Sequence, residues 1–430
     1  MRLGVGRRAA IAGAVGLAVV FAGTAVGSQK GSLKPQDCII VGTDPACGES
    51  AAQILNPDGV AISPDGKNVY VANDGQNTVS NLEVKGDGSL KYGGCVGDDS
   101  VVTGCADVAP GGLFGVENVA VSPNGKYAFA VSDAQQAVAL LKRNNDGSLN
   151  FKSCVSSVAM STECEDDTAA ALSDVQGVVV SPDTKHVYIA STLSDAVEWF
   201  KIAAGGTLEP KGCVSESSAS LCPTTMPGLV EAENLAISPD GESVYVPAEG
   251  GGTLAILDRK PNGDLEPVHC WGDDDLVTPC TKTADGLDQA DTAVVSNDGK
   301  NVYVASEGEG LSVFERKGNG QLEDLACHAD LGDCKIVDGL NGASGVAISP
   351  DDEFVYAVGD QSGVHSFARD PSGKLKKRGD CIRNTGGPGS CPKETGGLLG
   401  AETIVVGKGG DFVYVGAEGG GTVAWLKVKK

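Results

Sequence analysis

Fourteen cysteines and a periodically placed carboxylate are the groups in this chain best suited to chemistry. The cysteines fall as seven local pairs: Cys38/Cys47, Cys95/Cys105, Cys154/Cys164, Cys213/Cys222, Cys270/Cys280, Cys327/Cys334 and Cys381/Cys391. Partners are 7 to 10 residues apart, and first cysteines recur every 54 to 59 residues. No pair is Cys-x-x-Cys and no histidine stands at zinc-finger spacing, which argues against metal–thiolate sites. In an exported chain the pattern reads as seven short disulfide loops. Each would contribute about 2–3 kcal/mol in the chain-entropy model. With all seven closed, no thiol is left for cysteine chemistry.

The carboxylates follow the same period. One repeat position reads Asp58, Glu117, Gln176, Glu233, Asp291, Ser344 and Glu402. If the repeats close into a ring, these residues surround one opening. Three readings of such a ring stay open. Like charges repel, and a hard cation such as Ca2+ or Mg2+ would offset the repulsion. An open, hydrated mouth would let the carboxylates simply face water. A pair of carboxylates could act as general acid and base, as in sugar hydrolysis. No EF-hand loop is present, so calcium is expected from charge and position alone. The metal candidates are Asp58, Glu117, Glu233, Asp291 and Glu402; the catalytic candidates are Glu117, Glu233 and Glu402.

Other signatures are thin. Four histidines (His186, His269, His328, His365) are not brought together by the repeat. Gly342-Ala343-Ser344-Gly345 lacks the strand–turn–helix setting of a nucleophile elbow. Trp271, beside Cys270, is the one aromatic expected to face a ligand, so the ligand-binding set is the acidic ring with Gln176 and Trp271.

The elements that must position these groups are strands. Ser63-Pro64-Asp65-Gly66 returns as Ser122-Pro123-Asn124-Gly125, Ser181-Pro182-Asp183-Thr184, Ser238-Pro239-Asp240-Gly241, Ser296-Asn297-Asp298-Gly299 and Ser349-Pro350-Asp351-Asp352, with Gly407-Lys408-Gly409-Gly410 as a degenerate seventh copy. A short apolar strand precedes each turn and a second follows, as in Val69-Tyr70-Val71-Ala72. A third strand leads to an Asp-Gly or Asn-Gly hairpin, and a fourth ends at the first cysteine. Four strands repeated seven times specify an all-β, seven-bladed propeller. The disulfide loops then fall in the fourth-to-first connections, and are expected to crown the top face. Gly31-Ser32-Leu33-Lys34 followed by Cys38 repeats the fourth-strand signature of Gly88-Ser89-Leu90-Lys91 and Cys95. The N-terminal strand is therefore expected to complete the last blade and remove the ring's free edges. Tyr70, Tyr188, Tyr245, Tyr303, Tyr356 and Tyr414, with Phe129 in the second repeat, share one position and are expected to pack between blades. Arg143, Arg259, Arg316 and Arg369 fall at the opposite rim from the acids.

Arg2, Arg7 and Arg8 before an uncharged stretch from Ala9 to Val26 read as a signal peptide over residues 1–27, cleaved after Gly27, with 28–430 forming the propeller. The alternative is a retained anchor. A formal charge of −24 opposes binding to nucleic acid and to anionic membranes. It suits cations, basic partners or plain solubility. A monomer, secreted or held at the cell wall, is expected.

The run from Val60 to Asn73 (Val-Ala-Ile-Ser-Pro-Asp-Gly-Lys-Asn-Val-Tyr-Val-Ala-Asn) resembles the YVTN-type repeat of surface proteins and of the wider lactonase-like seven-bladed propellers. The resemblance spans about Gly31 to Lys430. It implies kinship with 6-phosphogluconolactonase-like and muconate-cycloisomerising propellers, whose sites use histidine, arginine and acidic residues around the channel. Glu117, Glu233 and Glu402 stand where the acidic part would be. The favoured expectation is a binding or scaffold propeller whose acidic, disulfide-stiffened top face meets a cation, an extracellular polymer or a protein. The alternative is a lactone or ester hydrolase at the same mouth, with or without a divalent metal.

Overall fold

In the computed structural model, seven small sheets stand around one channel as blades. Residues 29–430 are described except 42–46, 99–103, 158–163, 167–170, 218–221, 277, 330–333, 338–339, 341, 360–362, 380 and 387–390. The expected leader lies outside the described residues, as do Asp99, Glu163, Asp167, Asp330, Asp333 and Asp360 of the acidic loops.

Blade 1 is typical. Its inner strand Pro57–Ile62 pairs antiparallel with Asn68–Asn73, then Thr78–Val84, then the outer strand Leu90–Asp98. Residues two apart share a face of a strand. Alternate side chains of Pro57–Ile62 therefore face the channel, while Asn68–Asn73 is buried throughout. The inner strands of blades 2 to 7 begin at Val116, Val175, Ala236, Ala290, Gly345 and Ala401.

Each blade also carries a fifth strand that the four-strand repeat does not foretell. After Cys95 the chain loops back, and Asp107–Ala109 pairs parallel to the end of Leu90–Asp98. The same two- or three-residue strand recurs in all seven blades. The physical reason is the disulfide. With Cys95 and Cys105 Cα atoms 4.8 Å apart, the returning chain lies beside the outer strand and its next residues can complete a ladder.

All seven expected disulfides are closed: Cys38–Cys47, Cys95–Cys105, Cys154–Cys164, Cys213–Cys222, Cys270–Cys280, Cys327–Cys334 and Cys381–Cys391. Their Cα separations are 4.7 to 5.3 Å, and no cysteine is left free. The pairing holds and the loops stand in the fourth-to-first connections as expected, but several of the second cysteines lie deeper than their spacing tells. Cys164 is buried in the core between blades 1 and 2. Cys222 is wholly buried with Ala171, Ala196 and Cys213. Cys280 is half-buried and packs against the core between blades 3 and 4. The reason is that the chain entering each inner strand passes over the bridge. A Cβ on Gly112 would lie 3.4 Å from Cys164 Sγ, and one on Gly228 3.4 Å from Cys280 Sγ. The bridges therefore anchor the roots of the top loops within the core.

The ring closes as expected. Leu33–Ile40 pairs with Thr422–Val428 as the outer antiparallel strand of blade 7, with a bulge between Pro35 and Asp37.

The core lies between blades. Tyr245 and Leu254 of blade 4, for example, pack with Val302 and Phe314 of blade 5. The tyrosine stripe does more than fill this space. Tyr70, Tyr188, Tyr245 and Tyr303 each donate their hydroxyl to a hairpin glycine carbonyl of the next blade at 2.6–2.9 Å. Each also accepts from Nε of Arg143, Arg259, Arg316 or Arg369 of that blade at 2.6–2.9 Å. The same guanidinium reaches back to the turn carboxylate of the tyrosine's blade: Asp65, Asp183, Asp240 or Asp298, at 2.8–3.0 Å. Burial raises the Asp65 carboxyl, but the Ser63 hydroxyl and Arg143 outweigh it and hold the group at about 2. Four junctions thus carry an Arg–Asp–Tyr staple at the bottom rim. The other three lack the arginine, which is replaced by Val84, Ile202 or Val428.

Candidate channel-mouth site

The inner strands begin at the top, so the first residues of all seven meet there. Asp58, Glu117, Gln176, Glu233, Asp291, Ser344 and Glu402 line one cavity of about 360 Å³. Two residues further on, Val60, Val119, Val178, Val346 and Ile404 continue the wall. Close approach of the blades sets the mouth's width. A Cβ on Gly177 would lie 2.5 Å from the Glu233 carbonyl, and one on Gly345 2.2 Å from that of Glu402. Where the equivalent residue is not glycine it ties blades together: Asn118 Nδ2 donates to the Gln176 carbonyl at 3.1 Å.

The turns between second and third strands add Glu249 and Glu307 to the lining, and bring Glu418 beside Asp58. These three were legible as loop acids, but the ring position alone does not include them. The signal is their shared place after the second strand, where blades 1 and 2 carry Asp74 and Asp133.

No lysine, arginine or histidine is among the described residues lining the mouth. Burial, followed by the charges of Glu418, Asp74 and Glu402, pushes Asp58 up to about 8, against the opposing N–H of Asp74. Burial and then Asp58 and Asp133 push Glu117 up to about 9. Glu233 rises to about 8 through burial and Glu249, and Asp291 rises well above the carboxylate range through burial, Glu233 and Glu307. Ionising Asp58, Glu117, Glu233 and Asp291 therefore costs free energy that the Asp74 N–H and the Thr292 hydroxyl offset only in part.

Three carboxylates converge there: Asp58, Glu402 and Glu418, whose oxygens lie within 4.8 Å of one another across the junction of blades 7 and 1. Oxygens about 2.3–2.6 Å from a common calcium ion can be up to about 5 Å apart, so this spacing is compatible with one ion. A second group, Asp273, Asp275 and Glu309, is equally tight, but Asp273 already accepts the N–H groups of Asp275 and Leu287 at 3.0 and 2.9 Å. His365 with Cys381 and Cys391, and Asp285 with Cys327 and Cys334, place a titratable group beside a closed disulfide rather than beside thiolates.

A second expectation is corrected at this end of the molecule. Trp271 does not face a ligand. It lies in the outer strand Leu265–Asp273 of blade 4, is 9% exposed, and packs on Phe314 of blade 5 with ring centroids 5.5 Å apart. Its place next to Cys270 suggested a loop, yet the strand runs three residues past the cysteine. The four histidines do not line the mouth either: His186 meets Arg259, and His328 packs on Phe367, with burial and then Lys335 lowering it to about 4.

Comparison with known proteins bears out the lactonase-like resemblance. Residues 97–268 match the family described as lactonase, 7-bladed β-propeller. No curated protein matches the chain by sequence. Among solved structures, the periplasmic gluconolactonase of Pseudomonas aeruginosa is 21% identical with a TM-score of 0.54, covering 78% of this chain and 86% of its own. Hydrazine synthase of Kuenenia stuttgartiensis is 14% identical with a TM-score of 0.55, covering 90% and 99%. A functionally unknown protein from Desulfotomaculum acetoxidans is 19% identical with a TM-score of 0.53, covering 80% and 90%. At these identities the likeness is one of fold, and the fold hosts unrelated chemistries.

Proposed function

We propose that the chain is a binding propeller whose working site is the acidic channel mouth, and that the mouth takes a hard divalent cation, Ca2+ in the first instance. The observation that carries this reading is the convergence of Asp58, Glu402 and Glu418 oxygens within 4.8 Å, in a cavity whose described lining has no cationic side chain. Glu117, Glu233 and Asp291 surround that triad, and each adds negative potential once it is ionised. A bound cation would leave coordination positions toward the open top, where an oxygen-rich extracellular ligand could complete them. Seven closed disulfides fit an oxidising extracellular or periplasmic setting. No helix among the described residues is long and apolar enough to cross a membrane.

A second reading, hydrolysis of a lactone at the same mouth, is favoured by the family match, which spans Glu117 in its inner strand and Glu233 just before the next one. Carboxyls held near 8 or 9 are protonated at neutral pH and could donate to a leaving oxygen.

The test is calorimetric titration of calcium into chelator-stripped protein in buffers of different ionisation enthalpy. Because the carboxyls bind as carboxylates, a saturable site should release protons and tighten as pH rises from about 6 to about 9. Asp58→Asn should weaken it at least tenfold. An absence of saturable heat at two temperatures overturns the cation reading. A lactone panel assayed with and without calcium then decides for or against hydrolysis.

A further inference from the structure

The seven disulfides share one place in the repeat but not one set of neighbours. In six blades the first cysteine lies inside a continuous outer strand and faces a third-strand residue across the ladder. That residue is small in five of them: Ser80, Ala139, Ala255, Ser312 and Ala424, opposite Cys95, Cys154, Cys270, Cys327 and Cys38. Blade 3 sets the buried Glu198 opposite Cys213. Blade 6 carries His365 at this position, next to Val364, which pairs with Ile382.

Two features set the blade 6 bridge apart. His365 is wholly buried, stacks along Phe367, and brings its Nε2 to 3.9 Å from Cys391 Sγ. The outer strand is also interrupted. It runs over Leu375–Lys377 and resumes at Ile382–Asn384, so Cys381 stands just outside the ladder that holds the other six first cysteines. Blade 5 offers the opposite electrostatics, with the Asp285 carboxyl 3.8 Å from Cys327 Sγ.

These neighbours matter when a bridge is opened. A thiolate that attacks a disulfide expels the other sulfur as a thiolate, and the more acidic leaving thiol departs faster. An imidazolium beside a sulfur favours its thiolate, whereas a carboxylate opposes it. We infer that the Cys381–Cys391 bridge is a redox-active site, opened by a dithiol ahead of the other six. One thiolate of the dithiol attacks Cys381 Sγ, the S–S bond breaks, and Cys391 leaves as a thiolate held by protonated His365. The second thiolate then attacks the mixed disulfide and releases Cys381. The dithiol gives up two electrons and two protons and becomes a disulfide. The protein gains both, with one proton on Cys381 and the other shared by Cys391 and His365. Cys381 and Cys391 are 2% and 3% exposed, so attack requires local opening, and the interrupted strand has fewer ladder bonds to lose there. The site belongs to blade 6 alone and does not depend on the reading given to the mouth.

Dithiothreitol is the probe, applied to the folded, fully oxidised protein under native conditions. Freed thiols are trapped at intervals with an alkylating label and located by peptide mass mapping. Cys381 and Cys391 should acquire label about tenfold faster than any other pair. Labelling of blade 6 at the same time as the other blades, or after them, overturns the proposal. His365→Ser installs the residue that blades 1 and 5 carry at this position, and should slow the opening of blade 6 about tenfold. The space left by the smaller side chain would by itself loosen the site and speed the opening. Unchanged or faster labelling in the variant therefore overturns the role given to His365, and the order of labelling in the wild type decides the proposal even if the variant does not fold.

Discussion

At the bottom rim, Arg143, Arg259, Arg316 and Arg369 each meet an aspartate and a tyrosine, so their charges are paired across blade junctions. At the top, Asp58, Glu117, Glu233, Asp291 and Glu402 meet chiefly one another. The two ends share the same blades and the same strand geometry, so the difference lies in the residues placed there. The bottom lowers its carboxyls, Asp65 and Asp183 to about 2, and the top raises them, to about 8 or 9. Pairing at one end ties adjacent blades together at four junctions. Gathering acids at the other end raises their pKa values, so that they hold protons at neutral pH.

The comparison can be broken most directly at Arg316, whose side chain is 5% exposed. Arg316→Ala removes the partner of Asp240 and of the Tyr245 hydroxyl, and should cost about 3 kcal/mol in urea unfolding. A loss within about 0.5 kcal/mol would mean that the staple is decorative. The pH dependence tests both ends together. The top carboxyls have folded pKa values above their unfolded values near about 4, so the fold favours their protonated form. Stability from this source is full below about pH 4 and falls as pH rises toward 8 or 9. The bottom aspartates are lowered, so their contribution is present above about pH 4 and lost as pH falls toward 2. Metal-free protein should therefore melt highest near about pH 4 to 5, and saturating calcium should move the maximum toward neutrality. Within that profile, Glu117→Gln should raise stability at about pH 9 by about 1–2 kcal/mol while changing little at about pH 4. The smallest effect sharpens the comparison. Grafting the staple into the junction of blades 2 and 3 with Asn124→Asp, Phe129→Tyr and Ile202→Arg should add about 1 kcal/mol.

Much of this was legible in the sequence. The doubled period of cysteines and Ser-Pro-Asp-Gly turns specifies blade number, strand order and closure, because each turn type admits few backbones. The ring from Asp58 to Glu402 was legible for the same reason: a residue at one repeat position must come to one radius of the channel. What escaped depended on contacts between repeats or on depth. Glu418 joins Asp58 and Glu402 only because blade 7 abuts blade 1. The staple is also split, with Tyr70 and Asp65 in one repeat and Arg143 in the next. Its trace is visible once sought, since Phe129 replaces tyrosine at the junction where Ile202 replaces arginine. Spacing pairs Cys164, Cys222 and Cys280 with the right partners, but it carries no sign of how far each sinks beneath the loop it closes. Trp271 escapes for a related reason: it stands beside a cysteine, where a loop is expected, but the strand continues to Asp273.

The way the ring closes also orders events in time. During synthesis Leu33–Ile40 precedes every other strand described, yet its antiparallel partner Thr422–Val428 is the last of these to be made. Until that partner is made, the opening strand has only the two-residue Glu49–Ser50 to pair with, and its long antiparallel edge is open. An unpaired strand invites pairing with other chains. Lys34, Pro35 and the bulge beside it are the features that discourage such partners. The same residues that make the seam irregular in the finished molecule thus guard it while the molecule is unfinished.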